Sequence, residues 1–209
     1  MSSFGKTVPP EQYAANYMDE MEFEQHLISA RQRCCFDFLA TAGARRVLEV
    51  GCGPNLLIDW PDVDKLAVES WVIVEPTTTY SEHAARRIAG REKLSLVVGY
   101  LEEKRAELIA RCKEGYDAVL LSGLIHETTE PLRLVESAVS LMKPGASLLI
   151  IVPNAMSFHR MLAVEMGIIE RPDTITRRNR DLGQATVYDK ETLLDLVERV
   201  GLVKPRFSG

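Results

Sequence analysis

Residues 45–55 read RRVLEVGCGPN, and this stretch decides the fold. Val47 to Val50 form a short apolar run typical of a buried strand, and Gly51 begins a tight turn directly after it. Glycine tolerates a positive φ in such a turn, and its missing Cβ lets a ligand approach the backbone. A glycine turn after a strand is equally compatible with a purely structural role, so its interpretation depends on the residues around it.

The second signal is an acidic residue that ends the next apolar run. Glu75 follows WVIV at residues 71–74 and comes 22 residues after Gly53. A carboxylate in this position accepts hydrogen bonds from the two hydroxyl groups of a ribose. The alternative is a solvated acid at a strand end, which the preceding apolar run disfavours. Together the two signals predict a nucleotide-like ligand at the edge of a parallel sheet.

The residues around the turn bear on which nucleotide binds. A dinucleotide site needs a third glycine because the pyrophosphate sits against a helix N-terminus, but here Gly51 and Gly53 are followed by Pro54-Asn55. Glu49 at the mouth of the turn would repel a pyrophosphate and attract an ammonium or sulfonium group. S-adenosylmethionine (SAM) carries both positive groups, so these residues favour SAM over NAD.

The rest of the chain alternates short apolar runs with amphipathic stretches, the pattern of a parallel sheet covered by helices. The predicted strands are 47–50, 71–74, 94–98, 118–121 and 148–152, with a short last strand near 202–207, and residues 143–145 (KPG) are predicted as a turn. The predicted helices are 10–42, 80–89, 102–112, 131–142, 157–166 and 190–200. We therefore expect one α/β domain over residues 1–209: a Rossmann-like three-layer sandwich with a mostly parallel sheet and helices on both faces.

Five segments resemble, in order and spacing, the motifs of class I SAM-dependent methyltransferases: VLEVGCGPN, VIVEP, VVGYLEE, YDAVLLSGLIHETTEP and LMKPGASLLIIVPNAMSFHR. The last is similar to the branch that contains the ubiquinone-biosynthesis O-methyltransferases. The resemblance covers most of residues 10–205. It implies SAM as cofactor and S-adenosylhomocysteine (SAH) as product.

The resemblance also implies roles for individual cofactor positions. These are Glu49 near the amino group, Gly51 and Gly53 along the methionine part, Glu75 at the ribose, Tyr100 and Leu101 beside the adenine, and Ser122 and Gly123 beneath the cofactor. Tyr17 belongs to an N-terminal helical lid over residues 10–42 that is expected to close over the site. Core packing is the alternative role for Tyr17.

Two histidines are candidates for a general base, which helps methyl transfer when the acceptor is a hydroxyl group. His126 follows the fourth strand, where the carboxyl ends of the strands meet, and histidine titrates near neutral pH. A loop histidine held by Glu127 or Glu130 is the alternative interpretation. His159, after the fifth strand, is the second candidate. The run HETTE lacks the second histidine of the H-E-x-x-H zinc motif, so no metal is expected.

An insertion over residues 154–184 is expected to shape the acceptor pocket, with Asn154 and Arg160 as substrate-binding residues. Arg177 and Arg178, in the run RPDTITRRNR, are either part of a solvated loop or an anchor for a carboxylate or phosphate on the acceptor. The expected reaction is methyl transfer to oxygen or nitrogen of a small molecule, with an anionic group favoured. The alternatives are a methyltransferase acting on protein or RNA, a SAM-binding subunit of a complex and, less favoured, an NAD-dependent enzyme.

Composition bears on the partners and the compartment. The chain has 25 Lys and Arg against 30 Asp and Glu, a net charge of −5, and such an acidic balance disfavours nucleic acid. The four cysteines lack metal-ligand spacing, which fits a reducing compartment. No signal peptide or apolar stretch long enough to span a bilayer is recognisable, so a soluble cytoplasmic protein without membrane contact is expected.

Three departures from the family pattern carry further expectations. Asn55 replaces a glycine often found there, so the first helix is expected to start unusually, and Pro61 interrupts that helix, which is expected to be short. The family's sheet normally ends in a β-hairpin, and the chain reaches Gly209 with too few residues for its last strand. An incomplete hairpin leaves an open sheet edge, so we expect a homo-oligomer or a partner chain to complete it.

Overall fold

A computed structural model of the protein describes residues 21–59, 63–203 and 205–207. Five parallel strands form one sheet in the order β3-β2-β1-β4-β5. The strands are β1 Arg46–Val50, β2 Ser70–Glu75, β3 Leu94–Val98, β4 Tyr116–Ser122 and β5 Met142–Ile151. This order, with the crossovers made largely by helices, confirms the expected Rossmann-like α/β fold.

The apolar run of β1 is explained by its central position in the sheet. In register, Val47 pairs with Trp71 of β2 on one side and with Ala118 of β4 on the other. All three side chains are buried. A parallel strand covered on both faces is apolar at most of its positions, and the exceptions in β1 are Arg46 at its start and Glu49 near its end.

Helices cover both faces of the sheet. They are α1 Met21–Ala42, α2 Thr78–Ile88, α3 Leu101–Arg111, α4 Pro131–Val139, α5 Phe158–Glu165, α6 Arg177–Asp181 and α7 Lys190–Arg199. Leu108 of α3 and Leu196 of α7 belong to the apolar core on one face, and Leu39 of α1 and Ala84 of α2 to the core on the other. The result is the predicted three-layer sandwich. None of the helices in the part of the chain described is long and apolar enough to cross a membrane.

The connection from β1 to β2 differs from a regular βαβ unit, and its described residues contain no α-helix where a short one was expected. Two short 3-10 turns, Leu57–Asp59 and Val63–Lys65, stand in the described parts of this connection. Proline lacks an N–H and clashes with the preceding turn, so a stretch that contains Pro54 resists a regular helix. Pro61 itself lies outside the described residues, as does Tyr17.

Two predictions about local structure are wrong. Residues 143–145, predicted as a turn, lie within β5, where the register shifts between the pairs Tyr116–Met142 and Ala118–Ser147. The extra residues are accommodated as a bulge, at which Pro144 has no N–H to donate and Gly145 adopts a φ of 79°. The strand predicted over 202–207 is also absent from residues 202–203 and 205–207, where the backbone is irregular and Val203 is 80% exposed.

Candidate active site

One cavity opens at the carboxyl ends of β1, β2 and β4, the place where open parallel sheets bind their ligands. The predicted cofactor positions within the described residues all line it: Glu49, Gly51, Gly53, Glu75, Tyr100, Leu101, Ser122 and Gly123. They come from separate strands and loops, and the parallel topology brings them together. Tyr17 lies outside the described residues, so its predicted role stays a prediction.

Glu75 is a buried carboxylate held by backbone amides. The residue is 3% exposed. Its Oε1 accepts from the amide of Thr77 at 2.8 Å, and its Oε2 accepts from the amide of Gly53 at 3.3 Å. The thiol of Cys52 lies 3.6 Å from Oε2. Burying a carboxylate is costly unless hydrogen bonds compensate it, and these amides supply them. Glu75 therefore has a defined orientation at the cavity wall before any ligand arrives.

The glycine turn leaves room beside this carboxylate. Gly51 and Gly53 have φ values of 73° and 58°, in the region that disfavours side chains, and the amide of Gly51 donates to the carbonyl of Val74 at 2.8 Å. A Cβ added at Gly51 would contact Leu124 at 3.4 Å, whereas one added at Gly53 would meet nothing within 4 Å. The open space at Gly53 is a cradle in which a ligand can approach the backbone.

Glu49 supplies a second buried carboxylate to the cavity. It is 7% exposed, and its Oε2 accepts from the indole N–H of Trp71 at 2.9 Å. Burial raises the pKa of Glu49 to about 7; the Trp71 hydrogen bond opposes this shift, and repulsion from Glu75 adds to it. A cationic group bound beside Glu49 would restore its charge, so the position is suited to an ammonium or sulfonium ligand.

The turn after β4 presents Glu127 to the cavity rather than His126. Glu127 and Thr128 line the cavity, whereas His126 is 5% exposed and is not among the lining residues. The backbone carbonyl of His126 accepts from the amide of Ala185 at 2.7 Å. The imidazole Nε2 of His126 lies 3.8 Å from Oε1 of Glu127. His126 can therefore act on the cavity only through its neighbour. Sequence reasoning missed Glu127 because the direction of a side chain in the 3-10 turn Ile125–Glu127 is not readable from its spacing.

The predicted residues after β5, the base candidate His159 and the substrate-binding candidates Asn154 and Arg160, are not among those that line the cavity. His159 is exposed on α5, and Oδ1 of Asn154 accepts from the amide of Met156 at 2.9 Å. The guanidinium of Arg160 donates to the carbonyl of Pro172 and, at 2.6 Å, to that of Thr174. These bonds use Arg160 to tie α5 to the following loop, so the prediction that it orients an acceptor does not match its geometry.

The two arginines of α6 are also not among the residues that line the cavity. Arg177 is 92% exposed at its side chain and lies 3.8 Å from Asp181, an exposed i,i+4 pair that contributes little stability. Arg178 follows on the same short helix.

Helix α1 contributes residues that sequence reasoning missed. Ile28, Arg31, Gln32 and Cys35 line the cavity, with the i, i+3, i+4, i+7 spacing of one helix face. The side-chain amide of Gln32 donates to the carbonyl of Leu56 at 3.0 Å and fixes this face over the turn after β1. The spacing of these four residues in the sequence is the signal from which this helix face could have been predicted. Among the described residues no group of three or more His, Cys, Asp or Glu side chains is placed to hold a metal.

Comparison with known proteins relates this geometry to a family. The profile of a family described as a methyltransferase domain matches residues 25–204. No curated protein sequence matches the chain.

Three solved structures illustrate the similarity of fold. The plantazolicin methyltransferase BamL, in complex with a triazolic desmethylPZN analogue and SAH, has a TM-score of 0.64 and 15% identity over 93% of this chain and 68% of its own. A Thermotoga maritima protein described as a possible histamine N-methyltransferase has a TM-score of 0.62 and 16% identity over 93% and 81%. The complex between the Trm112 methyltransferase activator of Haloferax volcanii and a methyltransferase has a TM-score of 0.58 and 14% identity, over 93% of this chain and 77% of the matched chain.

Proposed function

From the premise that this chain belongs to the methyltransferase domain family and is a SAM-dependent methyltransferase, we propose that it methylates oxygen or nitrogen of a small-molecule acceptor. The single observation that carries the cofactor side is the hydrogen bond from the Gly53 amide to the buried carboxylate of Glu75. This bond joins the acid that we assign to the ribose to the turn in which Gly53 leaves open space.

The residues of the cavity fit SAM in both shape and charge. Gly53 leaves open space next to the backbone, Glu75 offers a carboxylate for the ribose hydroxyls, and Glu49 offers one for the ammonium group. When bound, SAM would supply the methyl group: the acceptor lone pair would form a bond to the methyl carbon as the C–S bond breaks, its electrons would neutralise the sulfonium, and SAH would leave. Much of the rate of such a displacement comes from alignment of the acceptor, which the rigid carboxyl edge of the sheet provides.

The acceptor's proton needs a destination when the acceptor is a hydroxyl group. We assign this role to the neighbouring pair His126 and Glu127, of which Glu127 lines the cavity. Glu127 takes the proton, and His126 behind it positions the carboxylate. An amine acceptor that binds in its neutral form needs less help, so the loss of rate in Glu127→Gln separates the two acceptor types. A fall confined to kcat with hydroxyl acceptors supports the base role, whereas an equal loss of SAH binding contradicts it.

Two observations support a small acceptor. The net charge of −5 disfavours nucleic acid, and the Thermotoga maritima neighbour is described as acting, as a possibility, on histamine. Arg177 and Arg178 do not line the cavity, so an anionic acceptor would have to extend beyond it to reach them; there the exposed pair Arg177–Asp181 would yield readily to such a group. The double variant Arg177→Ala, Arg178→Ala tests this. A raised KM for anionic acceptors alone supports it, and unchanged turnover contradicts it.

The test of the function as a whole is a titration followed by an acceptor screen. Calorimetry with SAM and SAH establishes cofactor binding, and labelled SAM then reports methyl transfer to a panel of hydroxyl, amine and carboxylate compounds. Label transfer to a small compound supports the proposal. Cofactor binding without transfer to any small acceptor, but with transfer to protein or RNA, would overturn the acceptor class.

A second candidate function is a SAM-binding subunit that works with a partner chain. Two observations favour it: α5 and its flanks expose Met156, Phe158, Leu162, Met166 and Ile168, and β5 forms one edge of the described sheet. Exposed apolar clusters and open strands are typical of contact surfaces. The Haloferax volcanii neighbour is itself in a complex with an activator. Sedimentation of the purified chain distinguishes the candidates, because a monomer with full turnover contradicts this second function.

A further inference from the structure

We infer that the acceptor is a basic amine, which enters the cavity as an ammonium ion between Glu127 and Gly183 and is held there by the Glu127 carboxylate. The inference rests on the proposed function and names the chemical class of its small acceptor. It also adds Gly183, a residue of the insertion, to the acceptor pocket.

The charges along the cavity favour a cation beside the cofactor. The one cation among the lining residues that the structure describes is Arg31, and the acidic lining residues are Glu49, Glu75, Glu102 and Glu127. Four carboxylates against one guanidinium leave an excess of three negative charges when all are ionised. Bound SAM, with one net positive charge, leaves an excess of two. An ammonium ion reduces this excess, whereas a carboxylate increases it.

Glu127 is the acid placed to face the acceptor. Glu49 and Glu75 are assigned to the ammonium group and the ribose of the cofactor, and Glu102 follows Leu101 at the start of α3, next to the positions assigned to the adenine. Glu127 instead follows the end of β4, and its residue is 7% exposed at the cavity wall. A buried carboxylate loses hydration, and a bound cation offsets part of that cost.

The last part of the insertion is fixed to the turn that carries Glu127. The backbone carbonyl of His126 accepts from the amides of Ala185 and Thr186 at 2.7 and 3.2 Å. Gly183, two residues before Ala185, is buried and lines the same cavity as Glu127. These bonds therefore make Gly183 and Glu127 the walls of one pocket.

Gly183 is held in place by the residues on either side of it. The side-chain amide of Asn179 donates to Oε1 of Gln184 at 2.6 Å, and the backbone amide of Gln184 donates to the carbonyl of Asn179 at 2.8 Å. Because this wall is fixed and has no side chain at Gly183, it leaves room for a slender group. Leu124 and Leu134 also line the cavity, so the group that carries the amine is apolar.

Glu127 has two tasks in this reaction. It binds the ammonium ion and then takes one proton from it, which leaves a neutral amine with a lone pair. The lone pair forms the N–C bond to the methyl carbon as the C–S bond breaks and its electrons pass to sulfur. The products are the methylated ammonium ion and SAH, and the proton on Glu127 passes to solvent.

The test uses three compounds with one body and three head groups: phenethylamine, phenethyl alcohol and hydrocinnamate. Calorimetry measures their binding to SAH-saturated protein. Phenethylamine is expected to bind about 10–100-fold more tightly than the alcohol, the usual range for a charge-assisted hydrogen bond, and hydrocinnamate most weakly. Glu127→Gln is expected to remove the preference for the amine. The matched control is Glu130→Gln, three residues later, whose side chain is 44% exposed.

Gly183→Ala tests the opposite wall of the pocket. It is expected to weaken phenethylamine about tenfold, because the added methyl group narrows the pocket, and to leave SAH affinity unchanged. Gly167→Ala is the matched control. Its φ of 68° is close to the 72° of Gly183, so the backbone strain is the same, but Gly167 is exposed and an added Cβ there would meet nothing within 4 Å.

Each outcome decides the inference. A preference for phenethylamine that is lost in Glu127→Gln, with SAH affinity unchanged, supports it. Tighter binding of the alcohol or of hydrocinnamate, a preference that survives in Glu127→Gln, or binding of none of the three at millimolar concentrations overturns it. Equal binding in Gly183→Ala and Gly167→Ala removes Gly183 from the pocket.

Failure of the proposed function gives a different result. A wild type that does not bind SAH contradicts the function and the inference together. Methyl transfer from SAM to hydroxyl compounds alone leaves the function standing and overturns the amine assignment.

Discussion

The amide of Gly53 donates to Oε2 of Glu75 across 3.3 Å, joining the glycine turn after β1 to the acid at the end of β2. The two residues are adjacent in space because β1 and β2 pair in parallel register and end at the same edge of the sheet. Neither residue could form this site alone. The turn needs the carboxylate to satisfy its amide, and the buried carboxylate needs the amide to offset its desolvation.

Glu75→Gln is expected to weaken SAH binding by about 10–100-fold. The substitution replaces the charged carboxylate that accepts from the ribose with a neutral amide, and it places the N–H of that amide against the backbone N–H of Gly53 or Thr77. Isothermal titration calorimetry measures this. Glu69→Gln is the matched control, since Glu69 lies just before β2 at the opposite end and is exposed. Equal affinity in Glu75→Gln and wild type would contradict the assigned ribose role.

Asp117 is expected to stabilise the fold without affecting the cofactor. Burial raises its pKa, but the Lys143 ammonium and the amides of Arg46 and Arg45, at 2.7 and 3.0 Å, outweigh this and lower the pKa to about 2. Asp117→Asn should therefore lower the free energy of unfolding at pH 7 by roughly 2 kcal/mol. Because the folded-state pKa is depressed, this contribution is present above about pH 4 and is lost as the pH falls towards 2.

Urea unfolding of Asp117→Asn at pH 7 and pH 3 checks this prediction. Glu114→Gln is the control: its carboxylate pairs with Arg46 but is 80% exposed, so a change below about 0.5 kcal/mol is expected. SAH affinity should be unchanged in both variants, since Asp117 begins β4 at the end far from the cavity. A loss of SAH binding in Asp117→Asn would show that the two ends of the sheet are coupled.

Local patterns made the sheet and the ribose acid predictable. The strand 94–98 was predicted with its observed bounds, and Glu75 was recognised because a buried apolar run ends at it. Such signals depend only on which neighbours in the chain are apolar. The bulge in β5 was not predictable, because residues 143–145 have turn composition and join the strand only by pairing with β4.

The cavity's outer wall could not be predicted from spacing alone. Arg31 and Glu127 face the cavity because of how α1 and the turn after β4 pack, which is a tertiary property. Sequence reasoning chose His126 for its chemistry, and the fold buries that side chain behind Glu127. It also chose Arg160 for its charge, and the fold uses that charge to hold two backbone carbonyls.

Arg160→Met is expected to loosen the loop that follows α5. The guanidinium bonds to the carbonyls of Pro172 and Thr174 would be lost, at a cost of about 1–3 kcal/mol. Limited digestion with trypsin measures this, because Arg177, Arg178 and Arg180 provide cleavage sites in α6, directly after the loop, whereas the Arg171–Pro172 bond resists trypsin. Faster cleavage there with unchanged SAH affinity is the expected result. A selective rise in KM for an anionic acceptor, with no faster cleavage, would instead favour a direct role in acceptor binding.

SAH affinity is expected to depend on pH through Glu49. Its pKa is about 7, raised mainly by burial, and the ammonium group of the ligand requires the ionised form. Affinity should therefore fall about tenfold per pH unit below 7 and level off above it. Titrations between pH 5.5 and 8.5 measure this, and Glu49→Gln should show weaker binding with a flat profile. A sloping profile in Glu49→Gln would assign the titration to another group.

The same carboxylate is expected to destabilise the ligand-free protein at alkaline pH. Its folded-state pKa of about 7 exceeds the ordinary value of 4.5 for a glutamate, so the folded state holds the proton more tightly. The contribution of Glu49 to stability is complete below about pH 4.5 and is lost as the pH rises through 7. Glu49→Gln removes this loss, and its amide oxygen can still accept from Trp71. The variant should therefore be more stable than wild type at pH 8, by up to roughly 3 kcal/mol, and nearly equal at pH 5.

Saturating SAH should reverse the order at pH 8, because binding favours the wild-type carboxylate. Thermal unfolding of both proteins, with and without SAH, provides the comparison. The opposite result, a variant less stable than wild type at pH 8 without ligand, would mean that Glu49 is ionised at little cost in the folded chain. Burial would then not raise its pKa, and the pH dependence assigned to it would be wrong.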